Sequence, residues 1–199
     1  DKKYVTLRRN IIAKVSHNLH KIPLPRLTFN RIISLVGPFK KSSSIMVFNS
    51  SLGSFTQKIL KQKMLFKKIY VANQSKEEIS VFKENILLER RKNVSVHLLR
   101  TVKIPTKVGK VDSFISFNDI GYVKDVAVFV HDVKKILAKG GKFCFYVKSH
   151  VLNVTPNAVL VEDRKKMLAL FKKEKLDVTY KRKRRLFTSE IFMYGVRKK

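Results

Sequence analysis

The sequence predicts an α/β fold: a seven-stranded, mostly parallel sheet with an antiparallel last strand and helices on both faces. Three observations carry this. Short strand-length apolar runs alternate with segments of helical periodicity through most of the chain, the pattern of a parallel sheet covered on both sides. The first run, Ser44–Phe48, is apolar enough for a strand buried on both faces. The last two runs, about 176–183 and 189–197, lie close enough to pair as an antiparallel hairpin.

The elements follow in order. Residues 1–19 place Leu7, Ile11, Ile12, Val15 and Leu19 at helical spacing, with Lys2, Lys3, Arg8, Arg9 and Lys14 on the other face. Pro23 and Pro25 end that basic amphipathic helix, because proline cannot continue it and biases its predecessor to extended geometry. Residues 1–24 therefore read as an N-terminal arm and 25–199 as one domain. Within the domain, Thr28–Val36 reads as a helix with Phe29, Ile32, Ile33 and Val36 inward. Ser54–Lys63 and Ser75–Arg91 read as the helices after the first strand and after the second, Lys68–Ala72. Val94–Leu98 and Val111–Phe117 are the third and fourth strands. Tyr122–Ala138 reads as a helix closed by Lys139-Gly140-Gly141, glycine supplying a left-handed cap. Lys142–Lys148 is the fifth strand and Val159–Lys173 a helix before the final pair.

Charge narrows the function. The 199 residues carry 44 Lys plus Arg against 14 Asp plus Glu, a formal net charge of +30. Hydrophobic residues at 44% exclude a disordered basic tail, since that much apolar surface builds a core. Self-repulsion on this scale is tolerated when a polyanion neutralises it. Because the cations run along the whole chain, nucleic acid is the expected partner, with an anionic membrane, an acidic protein and plain high solubility as the other readings. The single cysteine, Cys144, excludes an intrachain disulfide and a cysteine-built zinc site. His17 and His20 have no companion at metal-ligand spacing, so no metal is expected. The longest apolar run, Val126–Val130, is far short of a transmembrane span. Phe48, Phe114, Phe143 and Phe145 fall on strand core positions and are expected in the core rather than on a base-stacking surface.

In doubly wound sheets ligands sit at the carboxyl ends of the strands. The loop after the first strand is Asn49-Ser50-Ser51-Leu52-Gly53-Ser54. Its small residues let backbone approach a ligand, and the next helix offers free N–H groups. A turn in which Ser54 caps that helix explains the same residues without a ligand. The strand order, with its antiparallel end, resembles the Rossmann-like class I S-adenosylmethionine-dependent methyltransferases. More distantly, the chain resembles the fibrillarin family, which places 2′-O-methyl groups on ribosomal RNA. The loop from Asn49 to Ser54 resembles that family's Gly-Ala-Ala-Ser-Gly-Thr turn. The spacing to Ile69-Tyr70-Val71-Ala72, the stretch from Val111 to Gly141, the strand ending in Lys148 and the tail Ile191–Val196 follow the same family pattern. Small thiol methyltransferases resemble the middle and end of the chain nearly as well.

The resemblance implies a cofactor site at Asn49, Ser51, Gly53 and Asn73. It also implies a catalytic Lys-Asp-Lys-His set in which a lysine held by an acid activates a ribose hydroxyl. Both patterns are depleted. Asn73 stands where the family has a carboxylate that accepts from two ribose hydroxyls, and Leu99-Arg100-Thr101-Val102 has no aspartate. Of the catalytic set only Lys148 matches. The first lysine falls near Phe29 or Asn30, the acid near Asn118 with Asp119 one step on, and the histidine on Glu190. In a chain this rich in lysine, a strand-end lysine facing solvent or phosphate accounts for Lys148 better than the catalytic role does. The expectation is that the pocket has decayed and S-adenosylmethionine is no longer held.

The densest basic run, Lys181-Arg182-Lys183-Arg184-Arg185, is expected at the tip of the last hairpin, where it would grip RNA phosphates. A nuclear import signal and a solvated loop are the other readings. Arg8 and Arg9 are expected to add to the RNA surface. The sequence thus reads as a non-catalytic methyltransferase-fold component of a ribonucleoprotein, bound to rRNA and neighbouring subunits. Its expected place is intracellular, in the nucleolus or a ribosomal particle, an organellar ribosome included. An active RNA 2′-O-methyltransferase is the first alternative. A membrane-associated small-molecule methyltransferase, lying on anionic lipid through its first helix, is the second.

Overall fold

A computed structural model describes residues 26–48, 54–61, 65–73, 76–84, 92–99, 103–105, 108–150, 155–184 and 188–198. The N-terminal arm with Arg8 and Arg9, the loop 49–53, residues 85–91 and Arg185 lie outside the described residues. The elements are α1 (Arg26–Val36), β1 (Ser44–Phe48), α2 (Ser54–Lys61), β2 (Lys68–Asn73), α3 (Lys76–Glu84), β3 (Val94–Leu98) and β4 (Val111–Phe117). After a 3-10 turn at Asp119–Gly121 come α4 (Val126–Ile136), β5 (Leu137–His150), α5 (Ala158–Glu162), α6 (Arg164–Lys173), β6 (Leu176–Arg184) and β7 (Thr188–Arg197).

The seven strands form one sheet in the order β3-β2-β1-β4-β5-β7-β6. β1 runs parallel to β2 and β4, β2 to β3, and β4 to β5. β7 alone runs antiparallel, inserted between β5 and β6. This is the architecture expected from the sequence. Strand alternation divides the core into two layers. On one face Phe48, Phe114, Phe143 and Phe145 pack under Phe129 and Val130 of α4 and Phe171 of α6. On the other Ile45, Val71, Ile115, Cys144, Tyr146 and Phe192 pack under Phe29 and Ile32 of α1 and Phe55 of α2. The four phenylalanines assigned to the core from sequence are all fully buried.

Three local expectations are corrected. First, α4 stops at Ile136, and Gly140 and Gly141 do not cap it. Leu137 turns extended and already pairs with Val111, while the next partners are Ser113 and Lys142. The intervening residues bulge out of β5. Gly140, at φ 74°, takes the positive φ that this bulge requires. The open carbonyls of α4 are instead met by a distant side chain, Arg197, whose Nη1 donates to Lys134 O (3.0 Å) and Leu137 O (2.5 Å). Second, the helix expected over 159–173 is two. Asp163 takes extended backbone and caps the second, accepting from Lys166 N at 3.0 Å. Third, four of the cations expected at a hairpin tip, Lys181 to Arg184, belong to β6 itself, at the edge of the sheet.

Candidate functional site

The carboxyl ends of the parallel strands define the crevice. β2 ends in Asn73, which is buried at 4% exposure, and its carbonyl accepts from Leu99 N beyond β3. An amide there accepts from a hydroxyl but brings no charge to a ribose diol. His97, next to last in β3, keeps Nε2 buried without a hydrogen-bond partner among the described residues. Burial first, and Lys68 second, hold its pKa below the usual histidine range.

β4 leaves the sheet through Asn118, held in left-handed backbone (φ 64°) that asparagine tolerates. Asn118 N donates to Tyr146 O (2.8 Å), and its Oδ1 accepts from Lys148 N (2.8 Å). One amide side chain thereby ties the exits of β4 and β5 together. Asp119 follows, buried at 2% exposure, and its Oδ2 accepts from Ser116 Oγ at 2.9 Å.

Of the two residues singled out for catalysis, Lys148 lies on a strand and Asp119 in the 3-10 turn after β4. Ser116 shares the face of Phe114, so the Asp119 carboxylate is engaged on the α4 side. Lys148 shares the face of Tyr146, on the α1 side, and is exposed. The fold thus brings their backbones to one end of the sheet, with the Asp119 carboxylate bonded to Ser116 and Lys148 exposed. The cofactor candidates Asn49, Ser51 and Gly53 lie outside the described residues; Asn73 alone of that set is placed.

On the α1 side a different group assembles. Lys148 pairs with Glu190 across β5–β7, and Glu190 pairs with Lys183 across β7–β6. Tyr146 Oη donates to Glu190 Oε1 at 3.2 Å. One row inward, Tyr146, Phe192 and Lys181 align. The guanidinium carbon of Arg31, from α1, sits 4.3 Å from the Phe192 ring centroid. Arg31, Lys181, Arg182, Lys183 and Phe192 line a cleft of about 280 Å³. Arg182 points its guanidinium to the opposite face, where Nη2 donates to Glu162 Oε2 at 2.5 Å. The sequence reading missed Arg31, Tyr146 and Phe192. The one available signal was that Arg31 directly follows the Phe29–Asn30 position where the family places a lysine.

No protein-family model matches the sequence, and neither does any curated protein. Solved structures do. YcgJ of Bacillus subtilis superposes with a TM-score of 0.68 at 9% identity, covering 88% of this chain and 100% of that one. Precorrin-6y C5,15-methyltransferase of Geobacter metallireducens gives 0.65 at 10% identity, covering 90% and 92%. Geranyl diphosphate C-methyltransferase of Streptomyces coelicolor, in complex with Mg2+, geranyl diphosphate and S-adenosyl-L-homocysteine, gives 0.66 at 10% identity, covering 86% and 77%. The chain has the class I methyltransferase fold. At these identities the likeness extends to the fold and not to the chemistry. Among the described residues no cluster of His, Cys, Asp or Glu could hold a metal ion, and no helix is long and apolar enough to cross a membrane.

Proposed function

We propose that this methyltransferase-fold chain is an RNA-binding, non-catalytic component of a ribonucleoprotein, a ribosome or its precursor. The observation that carries the reading is Asn73. The buried end of β2, where this fold's resemblance to the fibrillarin family calls for a carboxylate, presents a neutral amide. The sequence adds the depleted glycine pattern of 49–54 and the absence of acid at 99–102. Ser116 Oγ donates to the Asp119 carboxylate and Lys148 is exposed, which favours the non-catalytic reading over an acid–lysine pair that activates a hydroxyl. The remaining asset is charge: +30 on a rigid sheet scaffold, suited to counterion release from rRNA. The corresponding location is a nucleolar, ribosomal or organellar ribosomal particle.

Calorimetric titration with S-adenosylmethionine tests this. Affinity weaker than millimolar, with steeply salt-dependent RNA binding and one copy per purified ribosomal particle, is the expected result. Tight cofactor binding would overturn the non-catalytic reading. It would favour an active methyltransferase, an RNA 2′-O-methyltransferase being the first alternative; solved structures of this fold that carry S-adenosylmethionine or S-adenosyl-L-homocysteine support cofactor binding and not the RNA substrate. In that case Lys148→Ala and Asp119→Asn should each abolish methyl transfer.

A further inference from the structure

In the cleft between α1 and the β6–β7 edge, cations from separate elements converge on a concave surface. Arg31 comes from α1, and Lys181 and Lys183 come from β6. None of the three forms an ion pair among the described residues, whose five pairs lie elsewhere. Arg31 lies over the Phe192 ring and Lys181 Nζ is 5.8 Å from the Tyr194 ring centroid, but three cations without an ion pair in one hollow repel one another, a cost that an anion lowers.

The geometry narrows the anion. Lys181 and Lys183 are two residues apart on one strand, so they project from the same face roughly 7 Å apart. That is the order of the separation between successive phosphates of an extended nucleic-acid strand. The Phe192 ring is buried and cannot itself stack a base. It backs the Arg31 guanidinium instead, fixing a planar, charged surface over which an unpaired base can lie. Glu190, opposite Lys183 on β7, is held by Tyr146 Oη and does not line the cleft. A volume of about 280 Å³ suits one nucleotide and not the face of a duplex.

We propose that this cleft binds single-stranded RNA one nucleotide deep, with an unpaired base stacked on Arg31 and the flanking phosphodiesters held by Lys181 and Lys183. The proposal deepens the RNA-binding reading and rests on it.

Fluorescence anisotropy of the full chain with a labelled oligouridine decamer, and with an RNA duplex of equal length, between 50 and 200 mM salt tests it. In Lys181→Gln/Lys183→Gln the slope of log affinity against log salt should become shallower by about 1.4 for the single strand. Arg31→Lys keeps the charge and removes the plane. It should weaken single-strand binding roughly five-fold or more and leave duplex binding unchanged. The exposed pair Lys165→Gln/Lys172→Gln on α6 serves as the comparison and should leave single-strand affinity near that of the parent. A parent that binds RNA while the cleft variants match it, or lose no more than the α6 pair, overturns this site and leaves the RNA reading standing. A parent that binds no RNA overturns both. Vesicles of anionic phospholipid bound as tightly, with the same dependence on Lys181 and Lys183, would make the occupant a membrane and overturn the proposal. The two lysines are exposed on an edge strand, so their variant remains folded and decides the matter even if Arg31→Lys does not.

Discussion

Cys144 shows how far burial sets reactivity. It sits in the centre of β5 with no exposure, and burial pushes its thiol pKa up to about 12 against the opposing pull of Arg31. The native chain should therefore resist iodoacetamide at pH 8 and be alkylated rapidly in denaturant; mass spectrometry of the two samples decides. Glu174 works in the other direction. It accepts from His131 Nδ1 at 2.9 Å and from Lys134 Nζ at 3.5 Å, and the His131 hydrogen bond is the main cause holding its pKa below the usual range. A carboxyl with a depressed folded pKa contributes stability above its unfolded value of about 4.3 and loses it as pH falls through the folded value. Melting temperatures of the parent and Glu174→Gln should differ at pH 6 and converge as acidification carries the pH below the lowered folded value. The packing that buries Cys144 and the hydrogen bonds that hold Glu174 join residues far apart in sequence, so neither effect was visible from composition or spacing.

At the scale of elements, helix and strand cores were legible because apolar periodicity reports directly on burial. Phe29, Ile32 and Val36 of α1 and Val126, Phe129, Val130 and Val133 of α4 are buried at that spacing. Boundaries were less legible. Gly140-Gly141 satisfies a helix cap and a strand bulge equally well in sequence; the pairing of Leu137 with Val111 chose the bulge. Gly195, in β7, is the converse case, a glycine whose need is tertiary. A Cβ there would lie 1.7 Å from Asp177 O of β6, too close for any side chain. Gly195→Ala should therefore destabilise the chain by roughly 1–3 kcal/mol, an overpacking cost that the backbone must absorb by shifting. Urea unfolding measures it, and an unchanged midpoint would show that β6 is not seated against β7 as described.

For the whole molecule, charge is the dominant quantity. A formal charge of +30 on 199 residues raises the free energy of the compact state through self-repulsion. Salt screens that repulsion over a Debye length of about 10 Å at 0.1 M. The melting temperature should therefore rise between 20 and 500 mM potassium chloride, and a short single-stranded RNA should raise it further at low salt. Scanning calorimetry over that range provides the check, and a falling melting temperature would mean that local ion pairs outweigh the global repulsion.

The seven-stranded α/β plan, the phenylalanine core and the excess of positive charge were determined by the sequence itself, because hydrophobic period and net charge are properties of residues in order. Only the tertiary structure decided which side chains meet. The 3-10 turn after β4 set the Asp119 carboxylate against Ser116, while Lys148 stayed exposed on β5. The insertion of β7 between β5 and β6 carried Lys181 and Lys183 beside Arg31, some 150 residues away along the chain. Such meetings depend on strand register and sheet order. Those are fixed by the packing of all the elements at once, and no local window of sequence contains them.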